Sequence, residues 1–87
     1  MSVLILQTPD QLSAHLRSLR KARGLTQAAL GALVGLDQTR IAKIERDPRL
    51  VSLGQLMRLF SALRVRVLLE PLPESGKTRS KQPASDW

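Results

Sequence analysis

The stretch that decides the fold is TQAALGALVGLDQTRIAKIE, residues 26–45, which predicts two short helices joined by a tight turn. Thr26 is a suitable N-cap for the first helix, and Gly35 stands where a left-handed residue would end it. Asp37 can cap the second helix, in which the isoleucines are spaced to face a core. We interpret the stretch as a helix-turn-helix.

Four side chains of the second helix are expected to lie on its outer face: Gln38, Thr39, Arg40 and Lys43. Glutamine can form two hydrogen bonds with adenine, threonine can place its methyl group against thymine, and arginine or lysine can reach guanine or phosphate. The pattern therefore indicates a surface that reads DNA. The alternative is an ordinary solvent-exposed helix face.

Helices are also expected on both sides of this stretch. Thr8 and Pro9 provide a cap and a first helical residue for a helix that runs to about Arg23. Ser52 with Gln55 predicts a capping box at the start of a fourth helix, whose apolar residues should close the core. The apolar residues at helical spacing there are Leu53, Leu56, Met57, Phe60 and Leu63.

The segments outside the helices carry two apolar runs. Val3 to Leu6 is β-prone but too short to fold without a partner. Val65 to Glu70 alternates in a way that predicts a strand, and its simplest partner is the same strand of a second protomer. The alternative for this run is an apolar extension of the fourth helix.

The remaining residues, 71–87, are expected to form a disordered tail, since they are rich in Pro, Ser, Gly, Lys and Gln. Trp87 ends this tail and is the only tryptophan in the chain. A terminal indole on a flexible segment suits an anchor for a pocket on a partner protein. A terminal aromatic without a role is the alternative.

Composition narrows the class of function. The chain has 87 residues, enough for one domain over residues 1–70, and a net charge of +7 that favours polyanionic partners. It has no cysteine and one histidine, so we expect no disulfide, no thiolate or multi-histidine metal site, and no cofactor. No apolar run approaches the length needed to cross a membrane, and no catalytic constellation stands out. We expect a cytoplasmic, nucleoid-associated binding protein, not an enzyme.

Several of these residues resemble the phage-repressor (XRE) type of helix-turn-helix domain, over roughly residues 9–64. The residues that carry the resemblance are Leu25, Thr26, Gln27, Leu30, Gly35, Ile41, Ile44 and Glu45. With the predicted strand and the tail that ends in tryptophan, the whole chain is similar to HipB-type antitoxins, the DNA-binding partners of HipA-type serine/threonine kinase toxins. The fold that this implies is mainly α, with four to five helices and one C-terminal strand in an intersubunit sheet.

The resemblance also implies roles for individual residues. Gln27 would contact phosphate at the start of the second helix, and the outer face of the third would enter the major groove of operator DNA. Arg20 would pair with Glu45. Asp37 departs from the family, in which many members have Ser, Thr or Lys at this position, so we expect its carboxylate to be a cap and not a DNA contact. The implied protein is a homodimer through Val65 to Glu70 that represses its own operon and neutralises a kinase. A stand-alone repressor, or a protein-interaction module without DNA binding, are the alternatives.

Overall fold

The computed structural model of the protein describes residues 3–74 and contains four α-helices in that range. Their bounds are α1 Pro9–Ala22, α2 Gln27–Val34, α3 Gln38–Arg46 and α4 Leu53–Ala62. A single 3₁₀ turn, Pro48–Leu50, follows α3 where a loop was expected. The prediction of a mainly helical domain with a helix-turn-helix at its centre is confirmed.

The helices begin at the predicted caps. The Thr8 hydroxyl accepts a hydrogen bond from the backbone of Gln11, whose side chain in return accepts one from the Thr8 backbone. Thr26 and Asp37 cap α2 and α3 through bonds of 3.0 and 2.8 Å. These bonds satisfy amides that have no partner inside the helix, so the polar residues before each helix fix its first residue.

The capping box predicted for α4 is only half formed. The Ser52 hydroxyl accepts from the Gln55 backbone at 3.1 Å, as expected. The second bond, from the Ser52 backbone to the Gln55 side chain, is not formed. The Gln55 side chain is instead partly buried, and its Nε2 atom has no hydrogen-bond partner among the described residues.

Two glycines shape the turn between α2 and α3. Gly35 has φ of +75°, so it ends α2 in the left-handed conformation that was predicted. Gly31 lies one turn earlier, and a Cβ atom there would stand 2.3 Å from the Leu36 carbonyl oxygen. The backbone at Leu36 comes this close to Gly31 because the Leu36 amide donates a hydrogen bond to the Gly31 carbonyl at 2.8 Å. The need for glycine at 31 was not recognised from the sequence.

The core draws on all four helices. Its buried apolar residues are Leu16, Leu30, Val34, Ile41, Ile44, Leu59, Phe60 and Leu63. Each helix therefore contributes an apolar stripe to one common cluster, and α3 is held in place by neighbours on only one of its sides.

The expected packing role of Met57 is wrong for the single chain. Phe60 and Leu63 are buried as predicted, but the Met57 side chain is 48% exposed and Leu53 is 72% exposed. The buried residues of α4 are Leu59 and Phe60, and the buried Leu63, directly after the helix, lies one turn beyond Leu59 on the same face. Leu53 and Met57 lie to one side of that face, where none of the other helices described within residues 3–74 covers them.

Neither apolar run outside the helices forms a strand within residues 3–74. Residues 65–70 leave α4 without regular secondary structure, and Val67, Leu68 and Leu69 are exposed. A strand requires a hydrogen-bonded partner, which one chain does not supply to this run. Residues 75–87, which include Trp87, lie outside the described residues. In the described part of the chain, no helix is sufficiently long and apolar to span a membrane.

We predict that Gly31→Ala destabilises the protein by ~1 to 3 kcal/mol, because the added methyl group meets the backbone of Leu36 and not a movable side chain. Gly54→Ala is the matched control. It places a methyl group in open space on a helix, where alanine is preferred to glycine. Urea unfolding of both variants measures the difference, and equal midpoints would contradict the close approach at Gly31.

Candidate nucleic-acid interface

The outer side of α3 forms an exposed polar surface. The α3 residues that are buried are Ile41, Ile44 and Glu45, whereas the exposed ones are Gln38, Thr39, Arg40, Lys43 and Arg46. All four residues predicted to read DNA are thus on the surface. At 3.6 residues per turn, Thr39, Lys43 and Arg46 share one face of the helix. We refer to the five exposed residues as the recognition face.

A buried ion pair holds the inner side of α3. Arg20 of α1 donates from Nε to Glu45 Oε2 at 2.6 Å and from Nη2 to Glu45 Oε1 at 3.2 Å. The side chains of Arg20 and Glu45 are only 10% and 3% exposed. The parallel pair of bonds fixes the relative orientation of two helices as well as their distance. The predicted contact between these residues is confirmed.

Further polar contacts bind α1 to the two ends of the motif. Arg20 Nη1 donates to the Leu25 carbonyl at 2.9 Å, which fixes the connection that leads into α2. The Ser13 hydroxyl donates to the Glu45 carbonyl at the other end of α3. One face of α1 therefore positions both the start of α2 and the end of α3. On the far side, Arg58 of α4 donates to the Val34 carbonyl at 3.3 Å.

Gln27, the first residue of α2, connects this buried pair to the recognition face. Its Nε2 donates to Glu45 Oε1 at 3.2 Å, and its Oε1 accepts from Gln38 Nε2 at 3.4 Å. Gln27 is half-buried, whereas Gln38 is exposed. The structure therefore brings two of the predicted site residues together, through contacts which the sequence did not reveal.

The charge on the recognition face is positive. Arg40, Lys43 and Arg46 are exposed there, while the one acidic residue of α3, Glu45, is buried beneath them. The Asp37 carboxylate is engaged by the Arg40 backbone amide, in the capping role expected for it. Arg46 was not among the predicted site residues, although its spacing from Lys43 and Thr39 was a usable signal.

A second ion pair lies on the surface just after α3. Arg49 donates from Nε to Asp47 Oδ1 at 2.8 Å, and the Arg49 side chain is 67% exposed. The hydrogen bond from Arg49 lowers the pKa of Asp47, and the same contact raises the pKa of Arg49. Arg46 forms no ion pair within residues 3–74, although its charge also helps to lower the pKa of Asp47. Within the same range, His, Cys, Asp and Glu residues form no group that could hold a metal ion.

Comparison with known proteins identifies the class of fold. Residues 16–68 match the helix-turn-helix family HTH_3, and the chain belongs to this family. Over its full length it is also 24% identical to Antitoxin HipB of Escherichia coli O6:H1, covering 93% of that protein. It is 23% identical to Antitoxin HipB of Escherichia coli K12, covering 99% of it.

A solved structure of a HipA-HipB-O2-O3 complex contains a chain with the same fold. The TM-score is 0.73 at 22% identity, and the match covers 82% of this protein and 100% of that chain. At this identity the likeness establishes the fold.

We predict that Glu45→Gln destabilises the protein by ~3 to 5 kcal/mol, because it leaves the Arg20 charge buried without a counter-ion. Arg49→Gln, which breaks the exposed ion pair, is the control and should scarcely move the melting temperature. Thermal melts of both variants provide the measurement. A Glu45→Gln protein that melts with the wild type would show that the pair does not support the fold.

Proposed function

We propose that this protein is a sequence-specific DNA-binding repressor that acts as the antitoxin of a toxin-antitoxin system. The main support for DNA binding is the recognition face, which exposes amide, hydroxyl and cationic groups on α3. A buried ion pair holds this helix in place. Its groups match those by which proteins read base edges and phosphates. The full-length similarity to proteins called Antitoxin HipB supports the cellular role.

Within this proposal, the residues divide by the part of DNA that they contact. Gln38, Thr39, Arg40 and Lys43 face the major groove. Gln27 keeps a second N–H on its amide and uses it to contact phosphate at the start of α2. Arg46, on the same face as Lys43, adds a phosphate contact.

We propose that the protein acts as a homodimer through residues 65–70, which pair with the same residues of a second protomer. Val67 and Leu69 stand exposed in the single chain and would lie on one side of such a strand. Burying these side chains gives the dimer its driving force, since two short strands alone are marginal in water. A dimer also matches a palindromic operator, with half-sites one helical turn apart.

The proposed protein partner is a HipA-type serine/threonine kinase toxin. The support is the full-length similarity to HipB antitoxins, together with the fold shared with a chain of a HipA-HipB-O2-O3 complex. The protein would neutralise the kinase and repress its own operon. Residues 1–70 would form the body that binds DNA and dimerises, and residues 71–87 a tail that carries Trp87 to a pocket on the kinase. Its place of action would be the cytoplasm, on the nucleoid.

DNA binding should be strongly salt-dependent. If a dimer makes on the order of 6 to 10 phosphate contacts, its affinity for operator DNA should fall by roughly 10³ to 10⁵ between about 50 and 200 mM salt. Fluorescence anisotropy with a labelled duplex measures this slope. Arg46→Gln should reduce the slope. Arg64→Gln, which removes an exposed arginine between α4 and the proposed strand, is the control and should leave the slope unchanged. A slope near zero would argue against DNA as the partner.

The dimer prediction concerns Val67. Val67→Asp should weaken self-association, because a charge would replace an apolar side chain on the face that the strand buries. Leu72→Asp is the matched control: Leu72 is equally apolar and more exposed, but it lies beyond the proposed strand. Sedimentation of both variants provides the test. If Val67→Asp remains a dimer, the interface lies elsewhere.

The tail prediction separates the two partners. A protein that ends at residue 74 should bind operator DNA like the full chain and bind the kinase more weakly, by an amount near the ~2 to 4 kcal/mol of a hot-spot side chain. Trp87→Ala in the full chain should reproduce most of this loss. Calorimetry with the kinase and anisotropy with DNA report the two affinities. A truncation that affects DNA binding alone would make the tail a nucleic-acid arm.

A further inference from the structure

We infer that a groove beside the start of α1 is a docking site for the segment of this chain that carries Trp87. The groove has a volume of about 340 Å³ and lies between the residues before α1 and the 3₁₀ turn after α3. Its apolar lining comes from Leu6, Pro9, Leu12 and Pro48, and Arg49 adds a cation. We refer to it as the N-terminal groove. Docking there would occur in the protein that is free of both DNA and kinase.

The first wall of the N-terminal groove is held in place by side chains of α1. The His15 ring makes a hydrogen bond through Nε2 to the Ile5 carbonyl oxygen at 2.6 Å. The Gln11 oxygen Oε1 accepts from the backbone amides of Gln7 and Thr8 at 2.5 and 3.1 Å. These bonds position the backbone on both sides of Leu6, although the segment forms no strand. The wall is therefore preformed, which lowers the free energy that a ligand must supply to order it.

The opposite wall is the 3₁₀ turn. Pro48 is buried, and Arg49 binds Asp47 through Nε at 2.8 Å and through Nη2 at 3.3 Å. Two parallel bonds of this kind lie in the plane of the guanidinium group, so they do not occupy its two flat faces. Such a face binds an aromatic ring, and tryptophan is the ring that it binds best. Apolar side chains beside an exposed guanidinium therefore suit an indole.

Trp87 is the ligand of this chemistry that the chain itself offers. It is the only tryptophan of the protein and the only large apolar side chain among residues 75–87, which lie outside the described residues. Asp86 precedes it, so a carboxylate would accompany the indole toward the charge of Arg49. The size also fits, because the groove volume lies at the lower end of the roughly 300 to 1,000 Å³ of ligand pockets, where a single large side chain suffices to fill it.

The length of the tail allows Trp87 to reach the groove. Thirteen residues span roughly 43 to 47 Å when fully extended, and about 20 Å on average as a flexible chain. The described part of the protein measures 47 × 27 × 20 Å. A tether of this length keeps the indole at an effective concentration on the order of several mM. If the contact alone has a dissociation constant of about 1 mM, roughly four molecules in five hold the indole docked.

Docking would control access to the tail. A kinase that binds Trp87 must take it from the N-terminal groove, so the apparent affinity is reduced to the fraction of molecules in which the tail is free. With roughly one free tail in five, loss of the groove should tighten kinase binding about fivefold. This consequence rests on the proposed function, whereas docking itself requires neither the kinase nor DNA.

The test uses the fluorescence of Trp87, because the chain has no other tryptophan. In the full chain, the acrylamide quenching constant should be roughly three- to fivefold lower than that of a synthetic peptide of residues 75–87, as the docked fraction requires. The emission maximum should lie at a shorter wavelength than that of the peptide, because the docked indole is shielded from water.

Two leucines of the N-terminal segment supply a matched pair of variants. Leu6→Ser removes apolar surface from the groove and should raise the quenching constant to the value of the peptide. Leu4→Ser should quench like the wild type, because Leu4 is 44% exposed, as Leu6 is, but does not line the groove.

Arg49→Gln provides a second variant, since it removes the cation and leaves the apolar lining intact. Its quenching constant should lie between those of the wild type and the peptide. The fold should be retained, because the ion pair that this substitution breaks is exposed.

Three results would overturn the inference. Quenching of the wild type equal to that of the peptide would show that the indole is not docked. Equal effects of Leu6→Ser and Leu4→Ser would place it elsewhere on the protein. Protection that disappears on dilution would place it in the groove of a separate molecule. If Leu6→Ser instead raises quenching as expected but leaves kinase affinity unchanged, docking stands and the proposed role of Trp87 on the kinase fails.

Discussion

The buried ion pair between Arg20 and Glu45 is the constraint on which the rest of the structure depends. Two apolar side chains could fill the same space, and such replacements are often equally stable or more stable. An apolar pair could not supply directional hydrogen bonds, which set how the helices are oriented relative to one another. The guanidinium fork binds Glu45 and the Leu25 carbonyl together, so α1 fixes both the entry to α2 and the position of α3. The pair also places an acceptor under Gln27, next to the surface that we propose reads DNA.

The fold was largely predictable from the sequence because its decisive signals are local. Thr8, Thr26 and Asp37 cap helices through side chains that reach only three residues along the chain, so each helix start could be placed without knowledge of the tertiary structure. Gly35 likewise ends α2 by its own backbone conformation. The ion pair spans a longer distance, and it was predicted only through resemblance to the repressor fold.

Features that depend on distant neighbours were missed. Gly31 is required by the Leu36 carbonyl, which comes close only after the turn has formed. Met57 was assigned to the core by its helical spacing. Spacing shows that Met57 lies near the apolar face of α4, but it does not show whether another helix packs against that side of the face. The contacts of Gln27 depend on the relative positions of three helices, so neither composition nor periodicity could reveal them.

The exposed apolar residues and the recognition face are two surfaces that favour different kinds of partner. Leu53, Met57, Val67 and Leu69 leave apolar surface uncovered in the single chain, while the recognition face is polar and cationic. Apolar surface of this kind favours association with protein, and the cationic face favours DNA. Both can be used at once only if the framework that joins them stays rigid, which is the role we assign to the ion pair.

A double-mutant cycle on this pair tests that role most directly. The free energies of unfolding would be measured for the wild type, Arg20→Met, Glu45→Met and the double variant. Each single variant leaves one buried charge without a partner and should cost ~3 to 5 kcal/mol, whereas the double variant leaves none and should be more stable than either. Costs that simply add would contradict the account, because they would show that Arg20 and Glu45 stabilise the protein independently of each other.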